Sequence, residues 1–119
     1  MTHPAEIAEL YIAAWNETNA AARKAMIADT WTADVIYVDP MAAVEGHDGV
    51  DALIAGVHER FPGFRFTLIG QADGHGDHVR FSWGLGPIGA EAPIKGTDYV
   101  LVEDGRLKLV TGFLDQVPG

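Results

Sequence analysis

With 119 residues, of which 48% are hydrophobic and 21% charged, the chain has the composition of one folded domain, and we predict a single domain over residues 1–119. A formal net charge of −9 without any cluster of Lys or Arg argues against nucleic acid or an anionic membrane as a partner. The absence of cysteine excludes disulfides, thiol nucleophiles and thiolate metal sites. Neither a signal peptide nor an apolar run of ~20 residues that could cross a bilayer is visible, so we expect a cytoplasmic protein.

The first half of the chain shows the hydrophobic periodicity of three helices. Pro4 stands at the start of the first helix, in which apolar residues recur every three or four positions. These residues are Ile7, Leu10, Tyr11, Ala14 and Trp15. The pair Thr18-Asn19 predicts a break and a cap before a second, alanine-rich helix that runs to about residue 29. The third helix is predicted to begin at Asp48, a favourable N-cap, and to end at Pro62-Gly63.

The other hydrophobic runs alternate with a period of two and predict strands. The first run, residues 35–39, lies between the second and third helices and is stopped by Pro40. Four further runs follow the third helix, at residues 64–72, 78–85, 94–103 and 106–114. We therefore predict an α+β fold in which three N-terminal helices pack on the concave face of a strongly curved antiparallel sheet.

The last two predicted strands place a carboxyl group on an apolar face. Asp104-Gly105 between them is the strongest short signal for a two-residue β-hairpin, and counting outward from this turn puts Asp98 opposite Thr111. By alternation, Asp98 shares its face with Val100, Val102, Leu107, Leu109 and Phe113. A carboxyl group in such surroundings must be paired or must hold a proton that it would lose in water. Asp98 is therefore the first candidate for a functional residue.

Three segments give the chain a resemblance to the nuclear transport factor 2-like cone fold, and within it to the SnoaL-like proteins and the ketosteroid isomerases. They are LYIAAWNETN in the first helix, VIYVDPMAAVEGHDGV before the third helix, and GTDYVLVEDGRLKLVTGF at the end. The resemblance covers about residues 5–115. It implies a conical, mostly apolar pocket with one open mouth, enclosed by the helices and the curved sheet.

The resemblance also implies a set of catalytic residues. Tyr11 occupies the position of the catalytic tyrosine, Asp39 that of the general base, and Asp98 that of the second acid in the oxyanion hole. Asp39 would remove a proton from the carbon α to a carbonyl, while Tyr11 and protonated Asp98 would donate hydrogen bonds to the oxygen. The product would arise by isomerisation, or by aldol ring closure as in the polyketide cyclases. No metal and no organic cofactor is implied.

The expected ligand is a small, flat hydrophobic molecule held by aromatic side chains. The predicted lining residues are Trp15, Phe81, Trp83 and Phe113. Tyr37, which shares strand parity with Asp39, is the nearest candidate for a tyrosine that supports Tyr11. The glycine-rich loop at residues 86–93 is a candidate lid over the pocket.

Each catalytic candidate also has a structural interpretation. Tyr11 fits an amphipathic core position, Asp39 before a proline initiates turns, and Asp98 could accept local hydrogen bonds. A limonene epoxide hydrolase-like reaction is a further alternative, which requires an arginine between the two aspartates. Strand parity predicts that Arg80 lies outside the cone, which argues against this alternative. If Arg80 or Arg65 pointed into the cone between the two aspartates, epoxide hydrolysis would be favoured.

Histidines near predicted turns suggest other sites less strongly. His75 and His78 flank a turn with two aspartates nearby, but without a further ligand set we interpret them as a polar hairpin tip and predict no metal site. His47 precedes the third helix and is interpreted as a surface residue near its cap.

A non-catalytic module that binds a small ligand or dimerises is the alternative to an enzyme. Apolar side chains are expected on the outer face of the sheet, where they would leave an exposed patch. These are Tyr99, Leu101, Val110 and Leu114. Because relatives commonly dimerise through this face, we predict a twofold homodimer.

Overall fold

The computed structural model describes residues 3–118, and within them the chain forms three helices and six strands. The helices are α1 (Pro4–Asn16), α2 (Ala20–Thr30) and α3 (Gly46–Arg60). The strands are β1 (Trp31–Val38), β2 (Ala43–Glu45), β3 (Phe64–His75), β4 (His78–Pro87), β5 (Ile94–Glu103) and β6 (Arg106–Gln116). The predicted α+β arrangement of three helices on a curved sheet is confirmed. None of the described helices is long and apolar enough to cross a membrane.

Two of the three helix starts follow the sequence signals. Helix α1 begins at Pro4, whose missing N–H is not needed in a first turn. The side chain of Asn19 caps α2 by accepting a hydrogen bond of 2.9 Å from the N–H of Ala22. Helix α3 begins at Gly46, and the prediction that Asp48 is its N-cap is wrong. Strand β2 runs directly into α3, and Gly46 makes the turn with a φ of 75°.

The sheet has the strand order β2-β1-β6-β5-β4-β3. Strands β3 to β6 form the predicted antiparallel meander, and β2 also pairs antiparallel with β1. Strand β1 pairs parallel with β6, which makes the sheet mixed. A parallel pair needs a long crossover, and here α3 with β3 to β5 supplies it. Strand β6 therefore lies between the strand that precedes Asp39 and the strand that carries Asp98.

The hairpin between β5 and β6 forms at the predicted turn, Asp104-Gly105, where both residues have positive φ. Two residue pairs beyond the turn, the register shifts because a β-bulge leaves Lys108 out of the ladder. Asp98 consequently faces Gly112, and the prediction that it faces Thr111 is wrong.

The bulge also reverses the faces of the rest of β6, because a slip of one residue moves every later side chain to the opposite side. Val110 is fully buried on the concave side, and Leu114, which pairs with Gly96, lies on the same side and lines the cavity. The prediction that these two residues lie on the outer face is therefore wrong. Leu109 and Phe113 lie on the side away from Asp98, so the prediction that they share its face is also wrong.

Two polar contacts fix the helices over the concave face. The buried side chain of Arg23 in α2 binds Asp51 in α3 with 2.7 Å between Nε and Oδ1. The amide of Asn16 in α1 donates to the carbonyl of Phe66 at 2.9 Å and accepts from its N–H at 2.8 Å. The second contact joins α1 to β3 and thereby fixes the side chains of α1 that face the sheet relative to the strands.

Candidate active site

A cavity of about 850 Å³ lies between the helices and the concave face of the sheet. Aromatic and aliphatic side chains form most of its wall, and the carboxyl groups of Asp39 and Asp98 reach it from the sheet. Its open end is marked by exposed lining residues, among them Met41, Glu59, Arg60, Phe113 and Val117. Tyr11 and both aspartates, the predicted catalytic residues, therefore line one cavity.

Asp98 is buried in β5, with an exposed fraction of 2%, and each of its carboxyl oxygens accepts a hydrogen bond. The hydroxyl of Tyr11 donates to Oδ2 at 2.5 Å. The indole N–H of Trp83 donates to Oδ1 at 3.1 Å. Asp98 thus meets the expectation for a carboxyl group on an apolar face, since it is paired on both oxygens.

Burial raises the pKa of Asp98 to about 6. The hydrogen bonds from Tyr11 and Trp83 lower this pKa, and the charges of Asp39 and Asp115 raise it further. With a pKa of about 6, the protonated form dominates in mildly acidic solution and makes up about a tenth of the molecules at pH 7. Asp98 can therefore exchange a proton within the pH range in which enzymes work.

Asp39 lies directly after β1, where its carboxyl group is held by three donors. Oδ1 accepts hydrogen bonds of 2.8 Å from the backbone N–H groups of Met41 and Ala42. Oδ2 accepts a hydrogen bond of 2.6 Å from the hydroxyl of Tyr37. Asp39 therefore forms the turn that its Asp-Pro sequence predicts and also lines the cavity. The hydroxyl of Tyr37 donates to Asp39 and also interacts with the hydroxyl of Tyr11.

Gly112 in β6 separates the two carboxyl groups. A Cβ atom at this position would lie 2.9 Å from Oδ1 of Asp98 and 3.3 Å from Cβ of Asp39. The first distance is shorter than real Cβ contacts, so a side chain at position 112 would displace Asp98. Sequence reasoning missed this glycine because its inward position depends on the β-bulge. The glycine allows both carboxyl groups to approach the same cavity.

Tyr11 and Tyr37 are neutral hydrogen-bond donors at the inner end of the cavity. Burial, followed by the charge of Asp98, raises the pKa of both phenols far above the usual range for tyrosine. Tyr11 stacks on Trp31, with ring centroids 5.6 Å apart, and meets the edge of Phe81 at 4.9 Å. These contacts fix the ring that carries the hydroxyl.

The sequence matches the profile of the SnoaL-like domain over residues 8–110. The chain belongs to the SnoaL-like family. A solved structure from Agrobacterium tumefaciens, described as a candidate isomerase of this family, is 41% identical and has a TM-score of 0.91. The alignment covers 97% of this chain and 99% of that one. The resemblance to SnoaL-like proteins is confirmed.

Solved structures with lower identity share the fold of this SnoaL-like chain. A candidate ketosteroid isomerase from Kribbella flavida is 18% identical, with a TM-score of 0.72 over 98% of this chain and 80% of that one. A candidate SnoaL-like polyketide cyclase from a Jannaschia species is also 18% identical, with a TM-score of 0.70 and coverages of 97% and 90%. A search of the curated proteins gave no match. The cone-shaped fold is therefore confirmed.

Three of the four residues predicted to bind the ligand line the cavity of this SnoaL-like domain. Trp15 and Trp83 form part of its wall. Phe113 borders only the open end, because it faces away from Asp98 in β6, and it is 56% exposed. Phe81 is buried in the core beside Tyr11 and does not line the cavity, which corrects its predicted place. Sequence reasoning missed the lining residues that α3 and β3 contribute, among them Leu53, Val57 and Phe66.

Neither arginine of the epoxide hydrolase alternative lies between the two aspartates. Arg80 forms an exposed ion pair with Asp73 at 3.1 Å, on the outside as predicted. Arg65 is exposed and lines a separate, smaller groove, which also includes part of loop 86–93. No residue of this candidate lid lines the main cavity.

The histidines singled out in the sequence take no part in the SnoaL-like cavity. His75 and His78 pair at the hairpin tip between β3 and β4, with ring centroids 5.8 Å apart. Nε2 of His47 lies 2.8 Å from the carbonyl oxygen of Trp31. Among residues 3–118, no group of three or more His, Cys, Asp or Glu side chains is arranged to hold a metal ion.

Proposed function

We propose that this SnoaL-like protein catalyses proton transfer at the carbon α to a carbonyl group, without a cofactor, on a small hydrophobic substrate. The observation that carries the proposal is the pair of unlike carboxyl groups, Asp39 and Asp98, on either side of Gly112 in one apolar cavity. Asp39 is held by three hydrogen-bond donors near the open end, and Asp98 is buried and has a raised pKa. Such a split in environment is typical of acid–base pairs. The descriptions of the relatives as candidate isomerases and a candidate polyketide cyclase support the same class of reaction.

Asp39 is the proposed general base. As a carboxylate it takes the proton from the α-carbon, and the electrons of the C–H bond move into the carbonyl group to give an enolate. In an isomerisation, Asp39 returns the proton at another carbon of the enolate. In a ring closure, the enolate carbon attacks a second carbonyl group of the same substrate, and the alkoxide that forms takes the proton from Asp39.

Tyr11 is the proposed donor to the enolate oxygen, and Asp98 acts through it. When Asp98 is charged, the Tyr11 hydroxyl donates its hydrogen to Oδ2 at 2.5 Å. When Asp98 is protonated, the added hydrogen on Oδ2 is donated to the Tyr11 oxygen, and the hydroxyl hydrogen of Tyr11 turns towards the ligand. The arrangement supplies a donor where negative charge develops. It refines the hypothesis that both groups donate directly to the substrate oxygen.

The proposal is tested by deuterium exchange at the α-carbon of ketones in D₂O, followed by proton NMR. We would use α-tetralone and a β,γ-unsaturated cyclohexenone as probes, because both are small, flat and hydrophobic. Exchange that depends on Asp39 supports proton transfer. Exchange no faster than in a variant lacking the Asp39 carboxyl group would contradict it and favour the non-catalytic binding module.

The rate of this exchange is expected to depend on the protonation of Asp98. Because the protonated form is the productive one, kcat/KM should fall as pH rises through about 6, approaching tenfold per pH unit above it. The Asp98→Asn variant should lose this limb, since an amide does not titrate in this range. If kcat/KM of Asp98→Asn still falls as pH rises through about 6, the titrating group is another residue, and the role given to Asp98 is contradicted.

We also propose that the protein forms a homodimer through the outer face of the sheet. Ile36 and Val38 in β1 are 46% and 41% exposed on this face, and Leu109 in β6, which lies next to Ile36, is half-buried there. Tyr99 and Leu101 in β5 are half-buried beside them. Apolar side chains in neighbouring strands make a patch that association would cover.

Light scattering during size-exclusion chromatography should give twice the chain mass of 12.8 kDa. Ile36→Lys places a charge in the patch and should yield monomers. Leu10→Lys is the matched control, because Leu10 is equally exposed, at 48%, but lies on α1. A wild-type monomer, or equal effects of the two variants, would count against this interface.

A further inference from the structure

The indole ring of Trp83 lies against the backbone of Gly96. The two residues face each other across the β4–β5 pair. A Cβ atom at Gly96 would lie 2.3 Å from Cζ2 and 2.7 Å from Cε2 of the indole, distances that real Cβ atoms essentially never show. The ring therefore occupies the space that any other residue at position 96 would fill. Only glycine allows Trp83 to take this position.

The same indole reaches the carboxyl group two residues further along β5. Gly96 and Asp98 lie on the same face of the strand, and both are buried. The N–H of Trp83 donates to Oδ1 of Asp98 at 3.1 Å, on the opposite carboxyl oxygen from Tyr11. Trp83 also lines the cavity, so the ring connects the acid to the space where a ligand would lie.

We propose that Trp83, seated on Gly96, is a positioning residue that fixes the plane of the Asp98 carboxyl group and so directs Oδ2 towards Tyr11. A carboxyl group held through one oxygen alone can rotate about its Cβ–Cγ bond. A second donor on Oδ1 removes this freedom and preserves the short contact with Tyr11. The inference rests on the proposed function for its catalytic meaning, but the positioning itself is independent of any substrate.

The surroundings of Asp98 make the indole N–H electrostatically important. Tyr11 from α1 and Trp83 from β4 are the groups that favour the charged carboxylate. Burial and the negative charges of Asp39, next to β1, and Asp115 in β6 favour the protonated form. Tyr37 in β1 is a neutral phenol near the same carboxyl group. Loss of the indole donor should therefore raise the pKa of Asp98.

The test is the pKa of Asp98, measured by carboxyl-carbon NMR on labelled protein without substrate, with Asp98→Asn to assign the signal. Trp83→Phe keeps an aromatic ring on Gly96 but removes the N–H. We expect the pKa to rise by about one unit in this variant, because one hydrogen bond to a charged group is lost. The fall of kcat/KM for α-tetralone with rising pH should move to higher pH by the same amount.

Trp31→Phe is the matched control, since the indole N–H of Trp31 is buried and has no hydrogen-bond partner among residues 3–118, and a phenyl ring can keep the stacking on Tyr11. It should leave the pKa of Asp98 close to the wild-type value. Equal shifts in the two variants, or no shift in folded Trp83→Phe, would overturn the positioning role.

The outcomes for the two proposals can be separated. A higher pKa in Trp83→Phe, together with no exchange of either ketone by the wild-type protein, would keep the positioning role and reject the proposed function. Wild-type exchange that requires Asp39, together with an unchanged pKa in Trp83→Phe, would keep the function and reject the positioning role.

Discussion

Replacing Asp39 by Asn is expected to lower kcat/KM for α-proton exchange by about 10²–10⁴-fold, the range typical of a lost general base. The amide is nearly isosteric with the carboxyl group. Its oxygen can still accept from the backbone N–H groups of Met41 and Ala42, and its NH₂ can donate to the oxygen of Tyr37. The turn after β1 should therefore be retained while the basic group is lost. Exchange of α-tetralone in D₂O measures the change.

Tyr37→Phe provides the control for this prediction. It removes the donor on Oδ2 of Asp39 but leaves the carboxylate and its two backbone hydrogen bonds in place. We expect a much smaller loss of exchange, with the thermal unfolding midpoint of both variants showing that they fold. A rate for Asp39→Asn within a few-fold of the wild type would mean that another group removes the proton.

Replacing Tyr11 by Phe is expected to lower kcat/KM by about 10²–10³-fold, because the donor to the developing oxyanion is removed. The phenyl ring can keep the stacking on Trp31 and the edge contact with Phe81. The loss should therefore come from the hydroxyl rather than from the packing. The affinity for 2-naphthol, a flat phenol that imitates an enolate, should fall in parallel, as followed by tryptophan fluorescence.

Asp98→Asn distinguishes donation through Tyr11 from donation by Asp98 itself. In the first arrangement, the new amide can donate to the Tyr11 oxygen and accept from Trp83, so most of the exchange rate at pH 6 should remain. A loss as large as that of Tyr11→Phe would show that Asp98 donates directly to the ligand. It would thereby restore the hypothesis drawn from the sequence.

Local patterns in the sequence predicted the elements well, because periodicity and turn chemistry act over a few residues. Pro4, Asn19 and Asp104-Gly105 all stand at the boundaries that they indicated. Three features could not be seen in this way. Strand β2 has too few residues for an alternating pattern, the β1–β6 pairing joins distant segments, and the bulge at Lys108 carries no local signal. Each is decided by tertiary packing.

The same limit explains what sequence reasoning found and missed in the site. The apolar surroundings of Asp98 followed from strand alternation, and the resemblance to SnoaL-like proteins indicated Tyr11 and Asp39. The contact of Trp83 with Asp98 joins two neighbouring strands, β4 and β5, and it requires a glycine at position 96. The place of Gly112 depends on the bulge. Neither relation could be inferred from residue types along one strand.

The central position of β6 determines when, during folding, Asp39 and Asp98 come together. Asp39 follows an early strand and Asp98 lies in a late hairpin, and the two meet only through the strand between them. The hairpins from β3 to β6 close short loops, whereas docking β1 closes a loop that spans most of the chain and is correspondingly slow. In a molecule in which β3 to β6 have formed but β1 has not yet docked, Asp98 is in place and Asp39 is not. Any activity that needs both carboxyl groups therefore requires that β1 has docked against β6.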